Sequence, residues 1–180
     1  APKPAPAGPL KVTQAGGLAL HWADTGVQTG TLRLGEAAMP ILTLLGGEWP
    51  SAPRWEGAIQ PLTLGGRALL RVSLRAEGGD DDLRVEVVRA ALLPDPPTSL
   101  QPLWVGEVER ATTELDACTL EVRAELRVDG GTLVVRRVGD ADCQPPSEEE
   151  NSQTPSFTAL KATCKAPAAV EERHPLPEGP

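Results

Sequence analysis

Along this chain apolar and polar residues alternate far more often than they recur at three- and four-residue intervals, a pattern that predicts strands in place of helices. Ala68, Leu70, Val72, Leu74 and Ala76 share one face of a segment whose other face carries Arg71, Ser73 and Arg75, with Leu69 as the exception. Glu77-Gly78-Gly79-Asp80-Asp81-Asp82 then supplies turn residues, and Leu83, Val85 and Val87 resume the alternation against Arg84 and Glu86. A β-hairpin is expected. Val88, Ala90 and Leu92 continue on the opposite parity, as a one-residue bulge requires.

A second hairpin is clearer still. Cys118, Leu120, Val122, Ala124, Leu126 and Val128 alternate with Thr119, Glu121, Arg123, Glu125 and Arg127. Asp129-Gly130-Gly131-Thr132 follows, and Leu133, Val135 and, less comfortably, Arg137 then stand opposite the apolar set. Counting back from a Gly130-Gly131 loop puts Cys118 directly across from Cys143, whereas an Asp129-Gly130 loop moves Cys143 opposite Asp116. Weaker strands are expected over Leu18 to Ala23, Thr31 to Leu34, Ile41 to Leu45, Ala58 to Leu64, Trp104 to Glu109 and Phe157 to Cys164, with a short turn at Gly35 to Met39.

These elements predict an all-β protein, an antiparallel β-sandwich that is Ig-like in general architecture, with about eight to ten strands. A length of 180 residues suits one domain. The boundaries expected are a Pro-rich extended tail over 1–10, a single sandwich over 11–165 and a second Pro-rich tail over 166–180. Pro94 to Thr98 is read as a crossing between two sheets, with a link between sub-domains as the alternative. Ala1 followed by a Pro-rich stretch is the kind of segment left by removal of a signal peptide. No apolar run reaches the roughly 18 residues that a membrane-spanning helix needs, so no direct membrane span is expected.

Composition narrows the function classes. With Lys+Arg 17 against Asp+Glu 25 the net charge is −8, a surface that repels phosphate backbones, and nucleic acid is not an expected partner. The three cysteines have no C-x-x-C spacing, which argues against zinc, thioredoxin-like and haem-attachment sites. A disulfide and one leftover thiol are expected, in an oxidising compartment. The favoured bridge joins Cys143 to Cys164, because it closes a polar loop and avoids a directly cross-strand geometry; Cys118 to Cys143 is the alternative.

No catalytic residues are assigned. His21 lies on a strand face opposite Leu20 and Trp22, and His174 lies in a Pro-rich stretch, so neither is placed to serve a nucleophile. No cofactor is implied. Asp80, Asp81 and Asp82 are a weak calcium candidate, with a solvated turn as the plainer reading. The most suggestive constellation is Trp49, Arg54 and Trp55 on a Pro-stiffened loop, able to hold a protein partner or a sugar face unless the rings fold inward to cap the sandwich. The expected role is therefore non-enzymatic: an exported structural or interaction protein, an accessory subunit contacting other proteins of a cell-envelope or extracellular assembly. The alternative is a carbohydrate-binding module, with glycan as its ligand.

Overall fold

The computed structural model describes residues 9–25, 30–115, 117–143 and 162–178. Four strands, β1 (Leu10–Ala15), β2 (Leu18–Ala23), β3 (Thr31–Leu34) and β4 (Ala37–Pro40), form one sheet. A single-turn helix, α1 (Ile41–Leu45), leads into β5 (Arg54–Leu64), β6 (Arg67–Gly79), β7 (Leu83–Pro94), β8 (Trp104–Glu114), β9 (Cys118–Asp129), β10 (Thr132–Cys143) and β11 (Val170–Pro175), which form the second. Within each sheet, consecutive strands pair antiparallel. The protein is the antiparallel all-β sandwich its alternation predicts, wired as two meanders, without the Greek-key connections of immunoglobulin domains.

The first core lies between the sheets. Of the predicted face of β6, Leu70, Val72, Leu74 and Ala76 are wholly buried and pack with Leu18, Leu20 and Leu32 of the small sheet, while Ala68 is exposed. Gly57 on β5 makes this approach possible: a Cβ there would lie 2.8 Å from Leu20 Cδ2 and 3.0 Å from the Trp22 ring. Helix α1 occupies a segment whose run of apolar residues suggested a strand. Ile41, Leu44 and Leu45 are its buried residues, the i, i+3, i+4 set of a helical face, while Thr43 is exposed. Strand alternation would have buried Thr43 between Ile41 and Leu45, so side-chain polarity selects the helix.

The second core arises because the large sheet curls on itself. Leu69 and Leu92 of β6 and β7 share a buried cluster with Leu133 and Val135 of β10. Four strand spacings separate β6 from β10, about 19 Å in a flat sheet, so these side chains meet only through strong bending. A bulge contributes to it: the β7–β8 register slips between Val88↔Glu109 and Arg89↔Glu107, leaving Val108 as the extra residue. The bulge thus sits on β8, one strand from its expected place. The parity change in β7 has another cause, burial on both faces: Ala91 and Leu93 enter the first core, and Val88, Ala90 and Leu92 the second.

Three boundaries differ from expectation. Residues 94–98 connect two adjacent strands of one sheet, β7 and β8, and the crossing between sheets falls at α1 and the residues after it. Leu10 already belongs to β1, and Ala37 to Pro40 form β4 beyond a turn at Gly35-Glu36. The stretch read as a C-terminal tail contains β11, which pairs with β10 from Thr132↔Pro175 to Arg137↔Val170. Its sequence hides it because its inward positions are mostly polar: Glu172 and His174 are half-buried, and only Leu176 beyond it joins the core cluster. Arg137, the misfit of the β10 face, donates to Glu172 at 2.5 Å and so resolves both anomalies together. Arg67 Nη2 donates to Pro177 O at 2.7 Å and ties the end of β11 back to β6. Of the strand expected over Phe157 to Cys164, residues through 161 lie outside the described residues, and 162–164 are not extended.

Candidate functional site

Between β1 and β5 lies a cleft of about 550 Å³, lined by Lys11, Val12 and Thr13 of β1, Trp22 and Asp24 at the end of β2, Arg54 to Gly57 of β5, and Arg75 and Glu77 of β6. Among the described residues both flanking strands are edges of their sheets, each with a strand partner on one side only. Pro61 within β5 fits that position, since a residue without an N–H is tolerated on an edge. Trp55 N donates to Asp24 O at 2.8 Å, which pins the two sheets together at one end of the cleft.

The cleft is polar, and several of its charges are paired. Lys11 Nζ lies 2.9 Å from Asp24, Arg84 lies 2.9 Å from Glu77, and Arg75 pairs with Glu86 and, at 3.8 Å, with Glu109. The Lys11 hydrogen bond, with weaker help from Arg54 and against some desolvation, holds the Asp24 carboxyl below its usual range. Deeper on the same face of β6, burial lowers the Arg71 guanidinium from its ordinary value, an effect that Glu109 partly opposes. Among the described residues, Trp22 Nε1 and Arg71 Nε are buried without a hydrogen-bond partner.

The tryptophans expected to present a binding face turn inward. Trp55 is only 7% exposed and belongs to the first core, and Trp49 is half-buried against it, edge to face, with ring centroids 5.3 Å apart. Arg54 alone of the trio is exposed. The rings cap the open end of the sandwich, so Trp49, Arg54 and Trp55 do not form a flat aromatic platform.

The other sequence candidates fall into structural places. Asp80 Oδ1 accepts from the backbone N–H groups of Asp82 and Leu83, both at 2.9 Å, forming an Asx turn at the β6–β7 tip. His21 is half-buried, with Nδ1 unpartnered among the described residues. His174 sits 3.3 Å from Glu172, its ring 6.4 Å from that of Trp104. Cys118 is bonded to Cys143, the pairing that the Gly130-Gly131 register allows, and not Cys143 to Cys164; Cys164 carries a free thiol. Such a bridge points to an oxidising, non-cytoplasmic compartment. No helix among the described residues is long and apolar enough to cross a membrane.

Sequence reasoning missed the edge strand β1. Leu10 and Val12 are 63% and 53% exposed on it, the largest outlying apolar pair on one short strand. The Gly16-Gly17 pair immediately after it was the available signal, since it forms the same two-residue turn as Gly130-Gly131. Comparison with protein-family models, with curated proteins and with solved structures returns no match for this chain.

Proposed function

We propose that this protein is a non-enzymatic interaction subunit of an exported assembly, in the cell envelope or outside the cell, and that it engages an extended strand of another protein along β1. The observation that carries this reading is the β1 edge, whose Leu10 and Val12 are exposed while one row of backbone N–H and C=O groups has no strand partner among the described residues. Natural sheets usually protect such an edge with charge, proline or a covering loop, and strand addition uses backbone hydrogen bonds for affinity and alternate side chains for specificity. The disulfide supports the exported setting, and the net charge of −8 disfavours a nucleic-acid partner.

The chemistry of the neighbouring cleft accords with recognition. Two of its acids, Asp24 and Glu77, are paired with Lys11 and Arg84, an arrangement that fixes polar groups in place along the cleft. The test is purification of the full chain from its native source at natural abundance, followed by size exclusion with light scattering. The wild-type chain is expected in a stoichiometric complex that Leu10→Lys/Val12→Lys disrupts without altering the circular dichroism spectrum. A lone 18.9 kDa monomer contradicts the reading. Saturable binding of a polysaccharide, followed through tryptophan emission, would favour the glycan-binding alternative instead.

A further inference from the structure

The β9–β10 hairpin brings more sulfur together than one bridge requires. The Sγ atoms of Cys118, Cys143 and Cys164 all lie within 4.8 Å of one another, although Cys164 is distant in sequence from the other two. Cys118 is 2% exposed at the start of β9, Cys143 is half-buried at the end of β10, and Cys164 packs against both. Cys164 and Cys118 both line a cavity of about 140 Å³, together with Leu120, Thr112 and Glu114, and Cys143 is not part of that lining. The free thiol is thus within 4.8 Å of both sulfurs of the bridge and shares an accessible cavity with Cys118.

We propose that the three cysteines form a thiol–disulfide exchange site in which Cys164 attacks Cys118 Sγ and transfers the bridge from Cys118–Cys143 to Cys118–Cys164. The step balances internally. The Cys164 thiolate forms the new S–S bond, the Cys118–Cys143 bond breaks, and Cys143 leaves as a thiolate that takes up the proton Cys164 gave to solvent. No electron enters or leaves, so no external oxidant or reductant is consumed.

Two features set the direction of attack. Cys164 shares its cavity with Cys118, and the leaving group that results is the half-buried Cys143, which can be solvated as a thiolate. Attack at Cys143 would instead expel a thiolate from the nearly inaccessible Cys118 position. Exchange moves the covalent hold from the β9–β10 pair to the chain around Cys164 and exposes a thiol at the end of β10.

The experiment is disulfide mapping of the wild-type chain, alkylated in acid at once or after incubation at pH 8.5, where a thiolate population is available. Acid quenching is expected to give Cys118–Cys143 with Cys164 alkylated. Incubation is expected to raise a Cys118–Cys164 species to about 1–10% of molecules, at a rate independent of protein concentration. A second arm uses Cys143→Ser in oxidised and reduced glutathione: a Cys118–Cys164 bridge with a wild-type circular dichroism spectrum is expected. Persistence of Cys118–Cys143 alone in the wild type, transfer to Cys143–Cys164, or two free thiols in a folded Cys143→Ser chain would each overturn the proposal.

Discussion

Replacing Gly57 by alanine adds one methyl group at a tight contact between the two sheets. The new Cβ lies 2.8 Å from Leu20 Cδ2 and 3.0 Å from Trp22, and neither neighbour has free space, since Leu20 is wholly buried and Trp22 is 7% exposed. Overpacking of this kind costs about 1–3 kcal/mol. Alanine restricts the unfolded chain more than glycine does, which returns about 0.4–1 kcal/mol. The net expectation is a loss of about 1–2 kcal/mol, read as a fall in the melting temperature of about 2–8 °C for a chain of this size. Leu20→Ala alone is expected to cost about 2–5 kcal/mol by leaving a cavity. In the double variant the added methyl enters the space vacated by Leu20 Cδ2, so the combined cost falls short of the sum by at least about 0.5 kcal/mol. Urea unfolding followed by tryptophan emission measures all four proteins. Strict additivity, or a Gly57→Ala variant as stable as wild type, would refute the packing described for β2 against β5.

Other consequences are open to direct measurement. Cys118→Ala/Cys143→Ala removes a bridge spanning 25 residues of sequence, and chain entropy puts the loss at about 3.5 kcal/mol in denaturant unfolding; a loss under about 1 kcal/mol would contradict a bridge formed in the native protein. The Arg137 hydrogen bond, helped by His174 and opposed by burial, holds Glu172 below its usual range. Because the folded value is depressed, this contribution is complete above about pH 4.3 and is lost as pH falls through the lower folded value. Hydrogen exchange in β11 should accelerate over that window, and Glu172→Gln should flatten the dependence; an unchanged profile in the variant would exclude Glu172 as the cause. Asp80→Ala should lower stability by about 1 kcal/mol through loss of two turn hydrogen bonds, equally with and without calcium. Stabilisation of the wild type by calcium that the variant lacks would contradict the turn assignment.

The parts of the fold written in single-period patterns were legible. Leu70 to Ala76 alternate cleanly and lie inward as read, and of the face from Cys118 to Val128, Cys118 is buried while Ala124, Leu126 and Val128 are half-buried against the second core. Of the two registers that the Asp129-Gly130-Gly131 turn allowed, the Gly130-Gly131 one is found, and it pairs Cys118 with Cys143. Preference for the other bridge came from weighing loop closure and strain, which could not weigh where the chain around Cys164 would pack. The curl of the large sheet was not legible, because it depends on contacts such as Gly65 against Val128 O that join residues far apart in sequence. For the same reason β11 was hidden: Glu172 is a buried-face residue only in the presence of Arg137. Trp49 and Trp55 illustrate the limit for sites. A loop carrying two large rings has the same sequence whether the rings face solvent or cap a core, and here the core takes them.

Strand addition requires that β1 be an edge that a partner completes. Hydrogen–deuterium exchange of residues 10–15, measured in the isolated chain and again in the native complex, addresses this directly. The outward-facing amides of β1 are expected to exchange freely in isolation and to become strongly protected in the complex, with β6 and β7 protected in both. Protection of β1 already complete in the isolated monomer, or exchange unchanged by the complex, would contradict strand addition at this edge.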